Sequence, residues 1–198
     1  ADALRLLAAH CPVRPSAEAV AVCQNRLVEK QFLVTHGFPL APFATIASTA
    51  DLESADEALY PGILKVVSQG YDGKGQARVR NRNEALAAFA RMGGETCVLE
   101  SLQPLSSEIS VVLARGADDT IRCFTPSENI HCNGILDISI VPARIAAKHL
   151  AAAQDIACAI ARRLDYVGTL AVEFFLVGEC LLVNELAPQV LAASAVDT

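Results

Sequence analysis

The stretch GYDGKGQ, residues 70–76, constrains the fold of this chain more than any other segment. It holds three of the eleven glycines, and glycines this dense mean that the backbone bends sharply or passes close to another group. The β-branched segment 62–67 (GILKVV) precedes it and the alternating segment 76–81 (QARVRN) follows, so the pattern predicts a β-hairpin. The spacing G-x-x-G-x-G lacks the Gly-Lys-Ser/Thr ending of a P-loop. Two interpretations stay open: a long mobile turn, or a flap whose backbone N–H groups wrap phosphate oxygens.

The other segments predict an α+β chain in two lobes. The smaller lobe spans residues 42–102 and contains the glycine-rich hairpin. The larger lobe, residues 103–188, combines an antiparallel sheet with the longest helix, predicted over 143–164. Helices are also predicted at 2–10, 25–37, 48–59 and 83–94, and strands at 43–48, 62–67, 76–81, 96–101, 107–116, 120–126, once within 128–143, and at 167–177 and 179–187.

The segment NRLVEKQFLVTHG (25–37) predicts a helix with an apolar stripe. Leu27, Phe32, Leu33 and Val34 recur at helical spacing. Gly37 is a suitable C-terminal cap. The helix is therefore expected to present these four side chains on one face.

Composition argues against several classes of protein. Apolar residues make up 53% of the chain, yet no stretch of about 18 of them lacks charge, so no membrane span is predicted. Asp2 and Arg5 stand where a signal peptide would be apolar, so no targeting segment is predicted. The net charge of −6 argues against a nucleic-acid surface, which would be basic.

The seven cysteines indicate a reducing compartment. They form no CxxC pair, and their odd number in a chain of this size argues against a secreted disulfide scaffold. Free cysteine behaves as a small hydrophobic residue. We therefore expect buried, reduced thiols in a cytoplasmic protein.

Lys65 is unusual because it lies between Leu64 and Val66 in a strand that is apolar on both faces. A fully buried lysine is rare and costly unless it is paired. The side chain could extend to the surface, or it could reach into a cleft and meet an anion. A phosphate under the neighbouring glycine loop would be a fitting partner.

Two glutamates on the last predicted hairpin point to a cation site. Glu173 lies in LAVEFFL and Glu185 in LLVNELA, two otherwise apolar strands. A two-residue loop would put the carboxylates on opposite faces, whereas a three-residue loop would make them diagonal neighbours on one face. On one face they would repel unless a cation or proton joined them, and Mg²⁺ suits these oxygens and nearby Asn184. The alternative is a glutamate at the solvent rim, paired with Arg or Lys.

Other polar residues are weaker candidates. Glu100 ends the strand TCVLES and Gln103 follows it, where backbone groups between two lobes could hold a planar adenine. Glu108 enters another apolar strand. His131 is a lone histidine on a predicted loop, a position that is more often structural than catalytic.

Together these features resemble the ATP-grasp fold: a lysine strand, a glycine flap, a Glu-ended hinge strand and paired strands with Glu…Asn-Glu. More narrowly, the chain resembles the 5-(carboxyamino)imidazole ribonucleotide synthases of purine biosynthesis. The matching stretches are NRLVEKQFL, GFPLAPF, GYDGKGQ, ENIHCNGIL, YVGTLAVEFF and LLVNELAP. The resemblance implies an ATP-grasp domain over 23–198, preceded at 1–22 by the remnant of an N-terminal domain and a linker.

The resemblance implies a ligase that uses ATP and Mg²⁺. Its reaction would be carboxylation of aminoimidazole ribonucleotide with bicarbonate, through carboxyphosphate, in an enzyme that is typically a homodimer. Glu173 and Glu185 would bind Mg²⁺, and Glu108 would hold the ribose hydroxyls. The implied nucleotide contacts are Arg26, Lys65, the flap residues Gly70, Tyr71, Asp72, Gly73, Lys74, Gly75 and Gln76, the adenine hinge Glu100, Ser101, Leu102 and Gln103, and Glu108, His131, Asn184 and Glu185.

The chain departs from the family pattern in three places. The resemblance does not include most of the family's N-terminal domain, and it does not include the family's small C-terminal domain. After NELAP the family continues Arg-x-His-Asn-Ser-Gly-His, whereas this chain has Gln189 for the arginine and Leu191 for the first histidine. Glutamine cannot offer the charged bidentate fork that suits an anion such as bicarbonate. We therefore expect an intact nucleotide half, no assignable catalytic residue, and poor or absent synthase activity.

Two other functions stay open. Another ATP-grasp carboxylase or ligase would share the glutamate pair, although a biotin carboxylase would lack ENIHCNGIL. A nucleotide-binding or dimerising protein without catalysis is the alternative of a different class. Stimulation of ATP turnover by different acceptors separates the two enzymes, and a thermal shift with Mg-ATP tests for a formed nucleotide site.

Overall fold

The computed structural model describes residues 1–67, 75–132 and 134–189 and has the predicted α+β composition. Within these ranges no helix is both long and apolar enough to cross a membrane. The helices are α1 (Asp2–Ala8), α2 (Ala17–Gln24), α3 (Arg26–Thr35), α4 (Thr49–Ser54), α5 (Arg82–Arg91) and α6 (Ala147–Arg163), with a short 3-10 helix at Glu57–Leu59. The strands are β1 (Phe43–Ile46), β2 (Gly62–Val66), β3 (Gln76–Val79), β4 (Cys97–Ser101), β5 (Ser107–Arg115), β6 (Ile121–Cys123), β7 (Ser127–Cys132), β8 (Ile135–Ile140), β9 (Gly168–Val177) and β10 (Cys180–Gln189).

The smaller sheet contains four antiparallel strands in the order β1-β4-β2-β3. Its own hydrophobic core includes Ile46, Leu64 and Leu99, and Phe89 of α5 packs there as well. Strand β2 is central, so the backbone on both sides of Lys65 is held by β3 and β4. The glycine-rich segment therefore joins two hydrogen-bonded strands, as the sequence predicts.

The larger sheet has the order β10-β9-β5-β7-β8, and β6 pairs with β5. Its core joins Phe174 and Leu113 of the sheet to Ile160 of α6. Leu33 of α3 and Ala19 of α2 lie in the same core. Helices α2 and α3 therefore pack with the larger sheet, although they precede the smaller one in the chain. The predicted domain boundary at residue 22 stays a prediction.

Strands β5 and β9 separate an apolar from a polar face. Ile109, Val172 and Phe174 are fully buried, or nearly so, in the core of the larger sheet. Because side chains alternate along a strand, Glu108 and Glu173 point to the opposite face. That face carries the polar residues of the candidate site.

Most predicted elements are confirmed, but four differ. The helix predicted over 48–59 ends at Ser54, because Ala55 has an extended backbone, and Glu57–Leu59 forms a separate 3-10 helix. Helix α2 was not predicted, because AEAVAVCQ has no helical apolar stripe; it starts where the Ser16 side chain accepts the Ala19 N–H. The segment 128–143 forms the hairpin β7–β8 and not a single strand. Helix α6 begins at Ala147, four residues later than predicted, because Ala146 has an extended backbone.

The predicted apolar stripe of α3 is wrong in part. Leu33 is buried as expected, but Val34 is 47% exposed. Glu29 and Lys30 are instead 3% and 2% exposed. A face of α3 with two ionisable side chains is therefore buried, because distant segments supply partners for both of them.

The cysteines are free thiols, as predicted, but only some are buried. Cys97 is buried, while Cys11, Cys132 and Cys180 are exposed. Burial raises the pKa of the Cys23 thiol to about 12, with the Glu29 charge adding to the effect. Cys23 is therefore a protonated thiol that packs against the core as a small hydrophobic residue.

Candidate functional site

Glu173 and Glu185 lie directly opposite each other on neighbouring strands. Val177 pairs with Cys180, so the β9–β10 hairpin has the two-residue loop that would put the glutamates on opposite faces. The register shifts between Val183 and Glu185, which makes Asn184 an extra residue in β10. This bulge brings Glu185 to the face of Glu173.

The carboxylate pair is electrostatically strained. Burial and then the charge of Glu185 raise the pKa of the Glu173 carboxyl. The Asn184 Nδ2 donates to Glu173 Oε2 at 3.4 Å, and Arg26 Nη1 lies 3.4 Å from Glu185 Oε2. The second contact fits the alternative of a glutamate paired with arginine, because 42% of the Glu185 side chain is exposed. The pair can accept a cation, and Glu185 also has a cationic neighbour of its own.

The polar face continues onto the adjacent strands. Ser110 of β5 lies opposite Glu173, and Glu108 is two residues earlier on the same face. His131 Nδ1 is 3.0 Å from Glu108 Oε2. His131 lies in β7 and not on a loop as predicted. The structure therefore brings Glu173, Glu185, Glu108 and His131 to one face of the larger sheet.

Lys65 and Glu100 form a buried charge cluster with a third residue, Lys30. Glu100 Oε2 lies 3.1 Å from Lys65 Nζ, and Glu100 Oε1 lies 3.2 Å from Lys30 Nζ. Burial alone would raise the pKa of the Glu100 carboxyl, but Lys65 and then Lys30 hold it below its usual range. Burial lowers the pKa of Lys30. The predicted anionic partner of Lys65 is thus, in this structure, a carboxylate of the protein.

Helix α3 connects these two groups of residues. Arg26, Glu29, Lys30 and Leu33 are spaced i, i+3, i+4 and i+7, so they share one helix face. The Leu186 N–H donates to Glu29 Oε2 at 2.9 Å, and burial raises the pKa of that carboxyl to about 8. The sequence predictions missed Glu29 and Lys30. Their helical spacing from Arg26 was the available signal.

Only the last two residues of the predicted flap lie within the described ranges. The Gly75 carbonyl accepts the Val66 N–H at 2.9 Å, and Gly75 has a φ of 75°. Gln76 pairs with Lys65 across the β2–β3 ladder. The remaining predicted flap residues, Gly70 to Lys74, lie outside the described residues.

The predicted adenine hinge begins in β4 with Glu100 and Ser101 and continues beyond the strand with Leu102 and Gln103. The Ser101 N–H donates to the Pro42 carbonyl at 2.9 Å, and the Leu102 N–H donates to the Pro61 carbonyl at 2.8 Å. The Gln103 Nε2 donates to Ser101 Oγ at 2.6 Å. These bonds fix the hinge backbone to the segments that precede β1 and β2.

The metal-binding potential of this face is limited to a few oxygen ligands. Among the described residues, no three His, Cys, Asp or Glu side chains gather in a ligand cluster. Mg²⁺ is usually bound through one or two carboxylates, with phosphate and water oxygens completing the octahedron. Glu173, Glu185 and the Asn184 side-chain oxygen match that incomplete set.

Comparison with known proteins identifies the family. A family model described as an ATP-grasp domain matches residues 31–193. The N5-carboxyaminoimidazole ribonucleotide synthase of Pseudomonas aeruginosa is 38% identical over 191 residues, covering 96% of this chain and 52% of the relative. The enzyme of the same name from Bacillus subtilis is 40% identical over 191 residues, covering 95% of this chain and 50% of the relative.

A solved structure agrees with these relatives. The crystal structure of N5-carboxyaminoimidazole synthetase from Staphylococcus aureus complexed with ADP has a TM-score of 0.87 and 34% identity. The match covers 98% of this chain and 52% of that chain. This chain therefore spans about half the length of the relatives it matches. The match of the family model to most of the sequence shows that the chain belongs to the ATP-grasp family.

Proposed function

We propose that this chain forms the nucleotide half of an ATP-grasp ligase with 5-(carboxyamino)imidazole ribonucleotide synthase activity in purine biosynthesis. The proposed reaction joins bicarbonate to aminoimidazole ribonucleotide, with ATP consumed through carboxyphosphate. The observation that carries the proposal is the bulge at Asn184, which sets Glu185 opposite Glu173 on a polar face. The names of the relatives support the choice of substrates.

The nucleotide would lie between the two sheets, with the triphosphate near α3. Arg26 and Lys65 would supply positive charge to the phosphates. Residues 100–103 would hold the adenine, and Glu108 would accept hydrogen bonds from the ribose hydroxyls. Phosphoryl transfer needs mainly positioning and charge neutralisation, and these are what fixed cations and backbone donors provide.

Mg²⁺ fits the donor set of this site. Glu173 and Glu185 would hold it, with Asn184 beside them, because two facing carboxylates with a raised pKa at Glu173 favour a bound cation. When bound, Mg²⁺ would neutralise phosphate charge. The chain's own contribution is to keep both carboxylates on one face and to place Arg26 Nη1 beside Glu185 Oε2.

The residues that would bind bicarbonate follow Pro188. Residues 190–198 and the side chain of Gln189 lie outside the described part of the chain. The prediction that Gln189 and Leu191 weaken bicarbonate binding therefore stays a prediction. It is compatible with nucleotide binding, because Gln189 and Leu191 are not among the residues proposed to bind the nucleotide.

We also infer a cytoplasmic homodimer. The seven free thiols support a reducing compartment. The family resemblance supports the dimer. Size-exclusion chromatography with light scattering would measure the mass in solution, and a monomer at micromolar concentration would contradict the inferred dimer.

The decisive experiment measures ligand-dependent stability and then turnover. Mg-ATP at 100 times its dissociation constant should add about 2.7 kcal/mol to the unfolding free energy. Phosphate release should then depend on bicarbonate and aminoimidazole ribonucleotide. Glu185→Gln removes a proposed Mg²⁺ ligand and should reduce the Mg-ATP shift. Glu179→Gln is its matched control, because Glu179 lies on the exposed turn of the same hairpin. Absence of any Mg-ATP shift in the unaltered chain would contradict the proposed function.

A further inference from the structure

The bulge in β10 sets the direction in which Glu185 points. Val183 pairs with Phe174 and faces the core, and in a regular strand Glu185 would face the core as well. The extra residue Asn184 reverses this, so that Glu185 faces Glu173 and Leu186 faces the core. Any group that stabilises the bulge therefore determines which way Glu185 points.

The outer edge of β10 shows where such a group acts. The Val183 N–H donates to the Pro39 carbonyl at 2.7 Å, and three residues further on the Leu186 N–H donates outward to Glu29 Oε2 at 2.9 Å. Outward N–H groups recur every second residue in a regular antiparallel strand, so the next one after Val183 would be that of residue 185. Leu186 presents its N–H outward because the bulge lies between the two positions.

Glu29 forms a hydrogen bond that is available only in the bulged register. Its Oε2 accepts the Leu186 N–H at 2.9 Å, across 157 residues of sequence, and Glu29 is 3% exposed. In an unbulged strand the Leu186 N–H would point towards β9. The buried Glu29 carboxyl would then lose this partner, and an unpaired buried polar group is costly.

We propose that Glu29 is a positioning residue for Glu185. Its buried carboxyl binds the Leu186 N–H, stabilises the bulge at Asn184 and keeps Glu185 on the face of Glu173. The inference deepens the proposed function and rests on it, because the ligand of the two positioned carboxylates is Mg²⁺ with its nucleotide. Glu29 itself does not contact that ligand.

The first test needs no ligand. Amide hydrogen exchange is measured at Leu186 in the unaltered chain, in Glu29→Gln and in Glu29→Met, with Gln31→Ala on the exposed side of α3 as control. Methionine keeps the length of the side chain but accepts no strong hydrogen bond, so exchange at Leu186 should quicken about tenfold. Glu29→Gln should stay near the unaltered chain. A fast-exchanging Leu186 amide in the unaltered chain, or no change in Glu29→Met, would overturn the proposal.

The second test separates positioning from general stability. The readout is the ratio of ATP dissociation constants without and with Mg²⁺. In Glu29→Met this ratio should fall by about tenfold, the lower end for residues that orient metal ligands, while the affinity for Mg²⁺-free ATP stays within twofold. In Glu29→Gln the ratio should equal that of the unaltered chain, because glutamine still accepts the hydrogen bond. An equal loss in both conditions would show a merely structural role and refute the proposal.

Failure of the proposed function has a different signature. If the unaltered chain binds no ATP, or binds it without any effect of Mg²⁺, the nucleotide site is refuted. The exchange data would still decide whether Glu29 holds the bulge. If Glu29→Met does not fold, the exchange rate of Leu186 in the unaltered chain and the Glu29→Gln ratio remain decisive.

Discussion

Glu185 lies directly opposite Glu173 because Asn184 is an extra residue in β10. Burial raises the pKa of the Glu173 carboxyl, and the charge of Glu185 raises it further. The fold keeps this unfavourable pair on a half-buried polar face. A site that is strained without its ligand and relieved by a cation is typical of a binding function.

Neutralising Glu173 should therefore increase stability and weaken magnesium-dependent binding. Glu173→Gln removes the repulsion with Glu185, so the unfolding free energy of the ligand-free chain at pH 7 should rise by up to about 1 kcal/mol, the scale of a part-exposed charge contact. The Mg²⁺ enhancement of ATP affinity should fall in the same variant. Urea unfolding and calorimetric titration measure the two effects. A less stable variant with an unchanged enhancement would contradict both expectations.

Removing Glu100 should destabilise the fold strongly. Glu100 binds Lys65 and Lys30 in a buried cluster, so Glu100→Gln leaves two buried ammonium groups without their counter-charge. Loss of one partner from a buried ion pair costs about 3–5 kcal/mol. Urea unfolding at pH 7 measures the loss. Glu84→Gln, at an exposed ion pair with Arg80, is the control and should cost less than about 1 kcal/mol.

The effect of Glu100 should depend on pH. The folded chain holds the pKa of this carboxyl below its ordinary value of 4.5, so its stabilising contribution is fully present above pH 4.5. It is lost as the pH falls through the folded-state pKa. The stability difference between the unaltered chain and Glu100→Gln should therefore shrink in acid. A difference that is constant from pH 7 to pH 3 would argue against an ionised Glu100.

The two lysines should differ in function. The Lys65 side chain is 11% exposed, whereas that of Lys30 is 3% exposed and its Nζ lies 5.5 Å from the centre of the Phe43 ring. Lys65→Met should lower ATP affinity about tenfold or more, the scale of a charged hydrogen bond. Lys30→Met should lower stability but change the ATP affinity of the folded chain less than about threefold. Equal affinities for Lys65→Met and the unaltered chain would remove Lys65 from the proposed site.

Gly62 should tolerate no side chain. A Cβ there would lie 2.5 Å from the Leu59 carbonyl oxygen and 2.8 Å from that of Glu100. Gly62→Ala should therefore cost about 1–3 kcal/mol of stability through overpacking. Gly178→Asn is a matched control, because Gly178 has a φ of 58° and open space around its Cβ position, and asparagine tolerates that conformation. A larger loss in the control would contradict the steric explanation.

The role of the residues after Pro188 in bicarbonate binding can be tested by restoring the family pattern at positions 189 and 191. The double variant Gln189→Arg with Leu191→His should increase bicarbonate-dependent phosphate release, because arginine supplies a charged fork for the anion. Its ATP affinity should match that of the unaltered chain. An unaltered chain that already turns over as fast as the double variant would show that these two positions do not limit activity.

Local sequence patterns were sufficient for the elements and for several site residues. The apolar run LAVEFFL predicted β9 and made Glu173 stand out as its one charged residue, and the flanking strands of GYDGKGQ predicted the β2–β3 hairpin. These inferences succeeded because strand periodicity and glycine conformation are set by neighbours in sequence. The segment 128–143 was harder. It forms two strands, β7 and β8, and Ile135, Leu136 and Ile138 of β8 are all exposed, so no burial with period two marks the second strand.

The sequence by itself determined that Glu173, Glu185 and Lys65 were unusual charges in apolar strands. Only the tertiary structure decided how they are used. A two-residue loop alone would separate the glutamates, and the bulge that reunites them is held from α3 by Glu29. The buried face of α3 carries ionisable side chains because Glu100 and the Leu186 N–H, both far away in sequence, satisfy Lys30 and Glu29. Periodicity records which residues share a face, but the partner that makes a buried charge tolerable comes from elsewhere in the fold.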